Sequence, residues 1–289
     1  MIADRIAGAP ISWGVCEVPG WGYQLSPERV LSEMRDVGLK ATEFGPDEFL
    51  PSDPTQKAST LASYGLKAVG GFVPAVLHDP AHDPTPVVDR ALDGFVAAGA
   101  GVLVLAAVTG QEGYDERPKL DARAWNNLFE NVDRLSARAK KRGILLTLHP
   151  HVGTVVERED EVRRVLEGSS VPLCVDTGHL MIGGTDPLAL VREVPDRIRH
   201  MHLKDVDAAW AKRVQSGEVT YTDAVRAGMY RPLGRGNVDV AGIVGTLERA
   251  GYNGWYVMEQ DTILTGAPEG EGPVADVIAS VAFLRGLDG

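Results

Sequence analysis

Short apolar or β-branched runs alternate with longer amphipathic segments from one end of this chain to the other, and that alternation constrains the fold more than anything else in it. Eight runs read as strands: residues 5–11, 40–44, 67–73, 101–107, 144–149, 171–176, 198–204 and 254–260. Between them lie helical patterns, among them 27–37, 86–98, 122–141 and 239–250. Ser26-Pro27 reads as an N-cap followed by proline at the first helical position. Gly38, Gly65, Gly99, Gly143 and Gly251 each stand between a helical run and the next strand, where a helix-terminating glycine belongs.

Strand and helix in strict alternation imply a parallel sheet. Eight such units within 289 residues predict an α/β fold, one (β/α)8 TIM barrel domain spanning 1–289, rather than an open doubly wound sheet. No glycine-rich dinucleotide fingerprint follows the first strand, which weighs further against the open sheet. The longest irregular segment, 205–237, follows the seventh strand, and a loop of that length at a barrel mouth reads as functional.

Composition narrows the partners. The chain is 44% hydrophobic and 24% charged, a soluble globular balance. Its net charge of −11, with no basic run, repels nucleic-acid phosphates and anionic lipid, so neither nucleic acid nor membrane is expected as a partner. The first ten residues are too short and polar for a signal peptide, and no apolar stretch reaches membrane-span length. Cys16 and Cys174, far apart, make no disulfide framework, so a reducing cytoplasm is expected. A homo-oligomer stays open.

In a barrel of this kind the chemistry sits at the C-terminal ends of the strands. Here strand five ends in His149-Pro-His151, strand six in Asp176-Thr-Gly-His179, strand seven in His200-Met-His202-Leu-Lys204-Asp205 and strand eight in Glu259-Gln-Asp261. Five of the seven histidines fall in these ends. Side chains alternate along a strand, so His200, His202 and Lys204 share one face, and each strand can aim one ligand-type group inward. Two imidazoles and two carboxylates, His149, Asp176, His202 and Glu259, form a mixed nitrogen and oxygen set that suits Mn²⁺, Co²⁺, Fe²⁺ or Zn²⁺, and Mg²⁺ less well. His200, one layer deeper, reads as a hydrogen-bonded core residue, and Cys174 as a small barrel filler. Glu43, at the end of strand two, is either a buried substrate contact or a rim charge. Trp13 and Trp21 are candidate walls of a sugar site, with Trp13 equally a core residue. Arg231, in the long seventh loop, is either a contact for substrate oxygens or a surface charge.

Taken together, Val-Asp176-Thr-Gly-His179, His200-Met-His202-Leu-Lys204-Asp205 and Met-Glu259, in that order and spacing, resemble the xylose isomerase-like barrels. The resemblance spans the whole chain. The opening Ala9-Pro-Ile-Ser-Trp13-Gly and the run Leu-His149-Pro-His151-Val-Gly-Thr154 resemble, within that group, the inosose (2-keto-myo-inositol) dehydratases. The resemblance implies dependence on Mn²⁺ or Co²⁺, held at the ends of strands five to eight, which maps onto His149, Asp176, His202 and Glu259. It implies a small polyol or sugar substrate. Many isomerases and epimerases of the wider group carry Glu on strand five, where this chain has His149. One carboxylate base suits one-sided proton abstraction, and so elimination, better than epimerisation.

The expected chemistry is β-elimination of water from a cyclic polyhydroxy ketone through an enediolate. Glu259 or His151 takes the α-proton, and Lys204, His179 or Glu43 assists departure of the hydroxyl. His179 has a second reading as the group that orients Asp176. Sugar isomerisation or ketose 3-epimerisation in the same site is the main alternative. A sugar-binding barrel without turnover is remoter, and an abasic-site nuclease is disfavoured by the acidic charge.

Overall fold

The computed structural model describes residues 1–111, 114 and 116–288. Eight parallel strands form the barrel: β1 (Ile6–Gly8), β2 (Ala41–Thr42), β3 (split into Lys67–Ala68 and Gly70–Ala75), β4 (Val102–Ala107), β5 (Leu145–Leu148), β6 (Leu173–Asp176), β7 (Ile198–Leu203) and β8 (Tyr256–Met258). Seven fall inside the runs expected for them, and β3 runs two residues past its expected end at 73. The other strands are shorter than those runs because pairing ends where the chain leaves the ring; Asp176 and His202 lie within β6 and β7, while His149, Lys204 and Glu259 follow the ends of their strands.

The ring closes through β3. Its first half pairs with β2 and its second half with β4, and β1 pairs with both β2 and β8. Val69, between the halves, donates its N–H to Thr42 O and accepts at its own carbonyl from Gly101 and Val102, so the break costs no backbone hydrogen bond. At this side of the barrel the interior filling is small: Ala7, Ala9, Ala41, Val69 and Val257 pack as a cluster of their own.

Helices wrap the outside, and the long ones sit where periodicity placed them: Pro27–Asp36, Thr85–Ala98, Ala122–Lys141 and Val240–Arg249. Ser26 caps the first through Arg29 N–H, and Asp239 caps the last through Gly242 N–H. The five helix-terminating glycines all take left-handed backbone angles, with φ between 68° and 82°.

The segment 205–237 departs from expectation, since it is not irregular. It holds two short helices, Ala208–Gln215 and Tyr221–Arg226, and an antiparallel pairing of Asp205–Val206 with Tyr230–Arg231. Asp205 fastens its return: the carboxylate accepts from Gly234, Gly236 and Val238 N–H at 2.8–3.0 Å. A Cβ on Gly236 would meet Asp205 Oδ1 at 2.2 Å, so this contact admits only glycine. Among the described residues, no helix is long and apolar enough to cross a membrane.

Candidate functional site

Register brings the site residues together. Asp176 pairs with His202 across β6 and β7, so these side chains leave the sheet side by side. His202 also pairs with Val257, which puts Glu259 one layer higher, level with Lys204. His202, Lys204 and Glu259 open onto a cavity of about 620 Å³ at the C-terminal mouth, lined also by His149, His151, Asp261, Glu43 and Trp21, with Asp176 buried behind them.

Asp176 divides its two oxygens between jobs. Oδ1 accepts from Gly178 and His179 N–H, both at 2.9 Å, and so caps the helix Thr177–Ile182. Oδ2 is buried and has no hydrogen-bond partner. His202 is divided likewise. Nε2 donates to Glu43 Oε1 at 3.0 Å, while Nδ1 is buried and unpartnered, 3.9 Å from Asp176 Oδ2 and 3.3 Å from Glu259 Oε2. Leaving two buried polar atoms unmatched is costly unless something binds them. A cation with bonds of about 2.1 Å sets its ligands roughly 3.0–3.5 Å apart, close to the spacing here. Asp176, His202 and Glu259 each offer an atom within 4.8 Å of the others.

His149 stands beside this trio. Its Nδ1 meets Pro150 O at 2.8 Å, which fixes the proton there and turns the lone pair of Nε2 toward Asp176 Oδ2, 3.9 Å away. His151 repeats the device, with Nδ1 against Val152 O at 2.7 Å.

Two other clusters share His202: with Glu43 and His200, and with His149 and Cys174. The first is satisfied internally, since Glu43 Oε1 accepts from His200 Nε2 at 2.7 Å as well as from His202. In the second, burial pushes the Cys174 thiol up to about 11, so it stays neutral, as expected of a filler.

The electrostatics point the same way. Burial raises Asp176, and it raises Glu259 to about 7 against the pull of His202 and Lys204. Burial opposes a proton on His202, but Cys174, Glu259 and Glu43 outweigh it and hold that imidazole well above its ordinary range. A pocket that draws a proton to Nδ1 and strains to ionise two carboxylates is one a divalent cation would relieve.

Lys204 is the fixed cation. Burial would lower it, but Asp176, Asp261 and Glu259 keep it well above its ordinary value. Nζ touches Asp261 Oδ1 at 2.5 Å, His179 Nε2 at 3.0 Å, Glu259 Oε2 at 3.2 Å and Asp176 Oδ2 at 3.5 Å. Asp261 in turn accepts from Tyr221, whose hydroxyl meets that of Tyr230 at 2.9 Å. Burial first, then Lys204, lowers His151 to about 4, and its ring lies 3.7 Å from that of His179, centroid to centroid.

Several expected roles are redrawn by this geometry. It is the backbone N–H of His179 that orients Asp176; the imidazole pairs with Lys204. Glu43 is engaged by two imidazoles, so it supports His202 and has no proton to give to a leaving group. Trp13 is fully buried, donates to Glu33 Oε2 at 2.7 Å and does not line the cavity, whereas Trp21 does. Arg231 is exposed, 3.4 Å from Asp207, and borders a separate depression. Asp261 was the residue missed although legible: it stands two positions beyond Glu259, on the same face. Tyr221 and Tyr230 carried no signal, since they come from the segment whose helices went unread.

Against known proteins, residues 31–286 match the model of the xylose isomerase-like TIM barrels. The chain belongs to that family. The inosose dehydratase of Geobacillus thermodenitrificans is 30% identical over 268 residues, 89% of either chain. The rhizopine catabolism protein MocC of Rhizobium meliloti is 30% identical over 300 residues, covering 98% of this chain and 91% of its own. An L-ribulose 3-epimerase superposes with a TM-score of 0.70 at 18% identity, over 98% of this chain and 94% of the other, a likeness of fold. Within this xylose isomerase-like frame the buried His, Asp and Glu cluster is the candidate metal centre.

Proposed function

We propose that this barrel is a metal-dependent hydro-lyase that removes water from a polyhydroxylated cyclic ketone of the inosose type. The observation that carries the reading is the state of the carboxylates at the mouth. Asp176 caps a helix, Glu43 holds two imidazoles, and Asp261 is engaged by Lys204 and Tyr221. Of these four carboxylates Glu259 is the one left to move a proton, and strand five ends in His149 rather than in a carboxylate. The 30% identity to inosose dehydratases supports the same reading.

His149 Nε2, Asp176 Oδ2, His202 Nδ1 and Glu259 would hold the cation, and the mixed donor set suits Mn²⁺ or Co²⁺. When bound, it supplies Lewis-acid polarisation of the ketone and stabilisation of the enediolate. Glu259 would take the proton from the carbon beside the carbonyl. As the enediolate collapses, the carbon–carbon double bond forms and the β-hydroxyl leaves. Lys204 gives that hydroxyl its proton, so water departs. His179 Nε2 and Asp261 hold the ammonium in place, and the proton taken by Glu259 returns to Lys204 across their 3.2 Å contact, which closes the cycle.

Epimerisation in this site would need a base on the opposite face of the substrate. His151, neutral and with Nε2 free, is the residue that would serve. The test is an assay of the Mn²⁺-loaded protein on inosose, following the dione product by its ultraviolet absorbance, with common ketoses in parallel. Conversion of ketoses alone makes it an epimerase, and binding without turnover makes it a sugar-binding barrel.

A further inference from the structure

The polar groups fill one end of the mouth, and the cavity does not stop there. From Phe72, whose ring centroid lies 5.5 Å from that of His151, it continues past Phe44 into the crevice between the helices Pro54–Ser63 and Thr85–Ala98. The inner walls of this arm include the apolar Leu50, Val87 and Ala91, the exposed Asp47, Glu48, Arg90 and Asp93 line it toward solvent, and Lys57 lies 5.2 Å over the Phe44 ring. A six-membered polyol ring needs the room of roughly six waters, on the order of 180 Å³. The cavity holds about 620 Å³, so such a ring at the polar end leaves the arm empty.

Gly94 carries the argument further. It lies in the interior of the helix Thr85–Ala98 and is buried, yet a Cβ built on it would meet nothing within 4 Å. Glycine inside a helix costs about 1 kcal/mol relative to alanine. No turn, positive φ or close backbone approach calls for it here. The residue that would restore helix propensity would project into the arm.

We infer that the arm is a substrate subsite: the preferred substrate is a cyclic polyhydroxy ketone carrying an apolar substituent, such as an alkyl or aryl ether, on one of its hydroxyls. The inference rests on the reading of the polar end as a polyol-ketone site. The substituent lies along Phe72, Phe44 and Gly94 and is retained in the product, while the ring meets Glu259 and Lys204.

The test separates the two claims by using a ligand that does not react. Binding of a benzyl ether of inositol and of inositol itself is measured by calorimetry on the Mn²⁺-loaded protein. Burying the phenyl group predicts at least about ten-fold tighter binding of the ether. Gly94→Leu, which gains helix propensity and meets no neighbour at Cβ, should fold with an unchanged or higher melting temperature and cut that preference about ten-fold. Ala91→Phe, reaching the arm from the next turn, should cut it as well. Equal binding of ether and inositol by the wild type overturns the subsite, as does a preference that survives both variants. If the ether binds tightly and the variants abolish its advantage, but the protein turns over ketoses and not inosose, the arm stands and the hydro-lyase reading falls.

Discussion

Glu43 and His202 meet through Oε1 and Nε2 at 3.0 Å, and this contact decides which nitrogen of His202 faces the mouth. With the Nε2 proton committed to Glu43, the Nδ1 lone pair is turned to Asp176 and Glu259. Burial would raise Glu43, but the imidazoles of His202 and His200 hold it well below the usual carboxylate range, so it is ionised at every working pH. Glu43→Gln should therefore weaken Mn²⁺ binding about 10–100-fold, the usual cost of losing a carboxylate behind a ligand imidazole. Calorimetric titration of Mn²⁺ reads this without any assay of turnover. Wild-type affinity in that variant would mean that His202 is oriented by something else.

Glu259→Gln makes a prediction in two directions. It removes the proposed base, so turnover should fall by about two to four orders of magnitude. The metal-free fold should nevertheless gain. Glu259 has its pKa raised from 4.5 to about 7 in the fold, so the folded state holds a proton that the unfolded chain releases. The metal-free protein consequently loses stability as pH climbs from about 4.5 to 7, by on the order of 3 kcal/mol, and stays lower above that. Metal-free Glu259→Gln should melt above the metal-free wild type at pH 8 and level with it near pH 4.5. Melting curves of both proteins in chelator at the two pH values check the sign.

The chain braces the loop that carries His151 with a partly buried ion cluster. Arg117 reaches Thr154 O at 2.6 Å, both oxygens of Glu161 at 2.9 and 3.0 Å, and Glu157 at 3.3 Å, and so ties down the loop that follows β5. Arg117→Ala leaves two partly buried carboxylates uncompensated. It should cost about 3 kcal/mol in denaturant unfolding, and it should lower turnover, since His151, His149 and the cavity wall move with this loop. A loss below about 1 kcal/mol would assign the cluster to solvent screening.

How much of this was legible in the sequence follows from what each feature depends on. That Asp176, His202 and Glu259 come together was legible because each stands at a strand end on the inward face, and both properties are local. The division of Asp176 into a capping oxygen and a free one was half visible, in Asp176-Thr-Gly-His179 as a helix start. Glu43 stayed open between a buried contact and a rim charge because its partners come from β7, on another part of the ring, and no local pattern reports such a pairing. Trp13 and Trp21 are equivalent by composition, and only packing shows one sealed against Glu33 and the other on the cavity. The segment 205–237 went unread because its helices are six to eight residues long, too short for a periodicity to register.

Strand five offers the sharpest change of chemistry. His149→Glu places a carboxylate across the mouth from Glu259. Mn²⁺ should still bind, within about ten-fold of wild type, because one oxygen or nitrogen donor replaces another. Elimination of water should fall, and exchange of the substrate's α-proton with solvent should rise as a second base becomes available. An unchanged rate of water loss would show that the identity of this ligand does not steer the reaction.

The central claim is that proton abstraction here leads to loss of water, and the reaction of the Mn²⁺-loaded protein with inosose in D₂O measures it most directly. One water should be released per inosose, with a conjugated or enolisable dione formed and little deuterium in the recovered starting material. Ketoses returned with inverted centres and solvent deuterium beside the carbonyl, every oxygen retained and inosose untouched, would contradict it and assign the second proton transfer to His151.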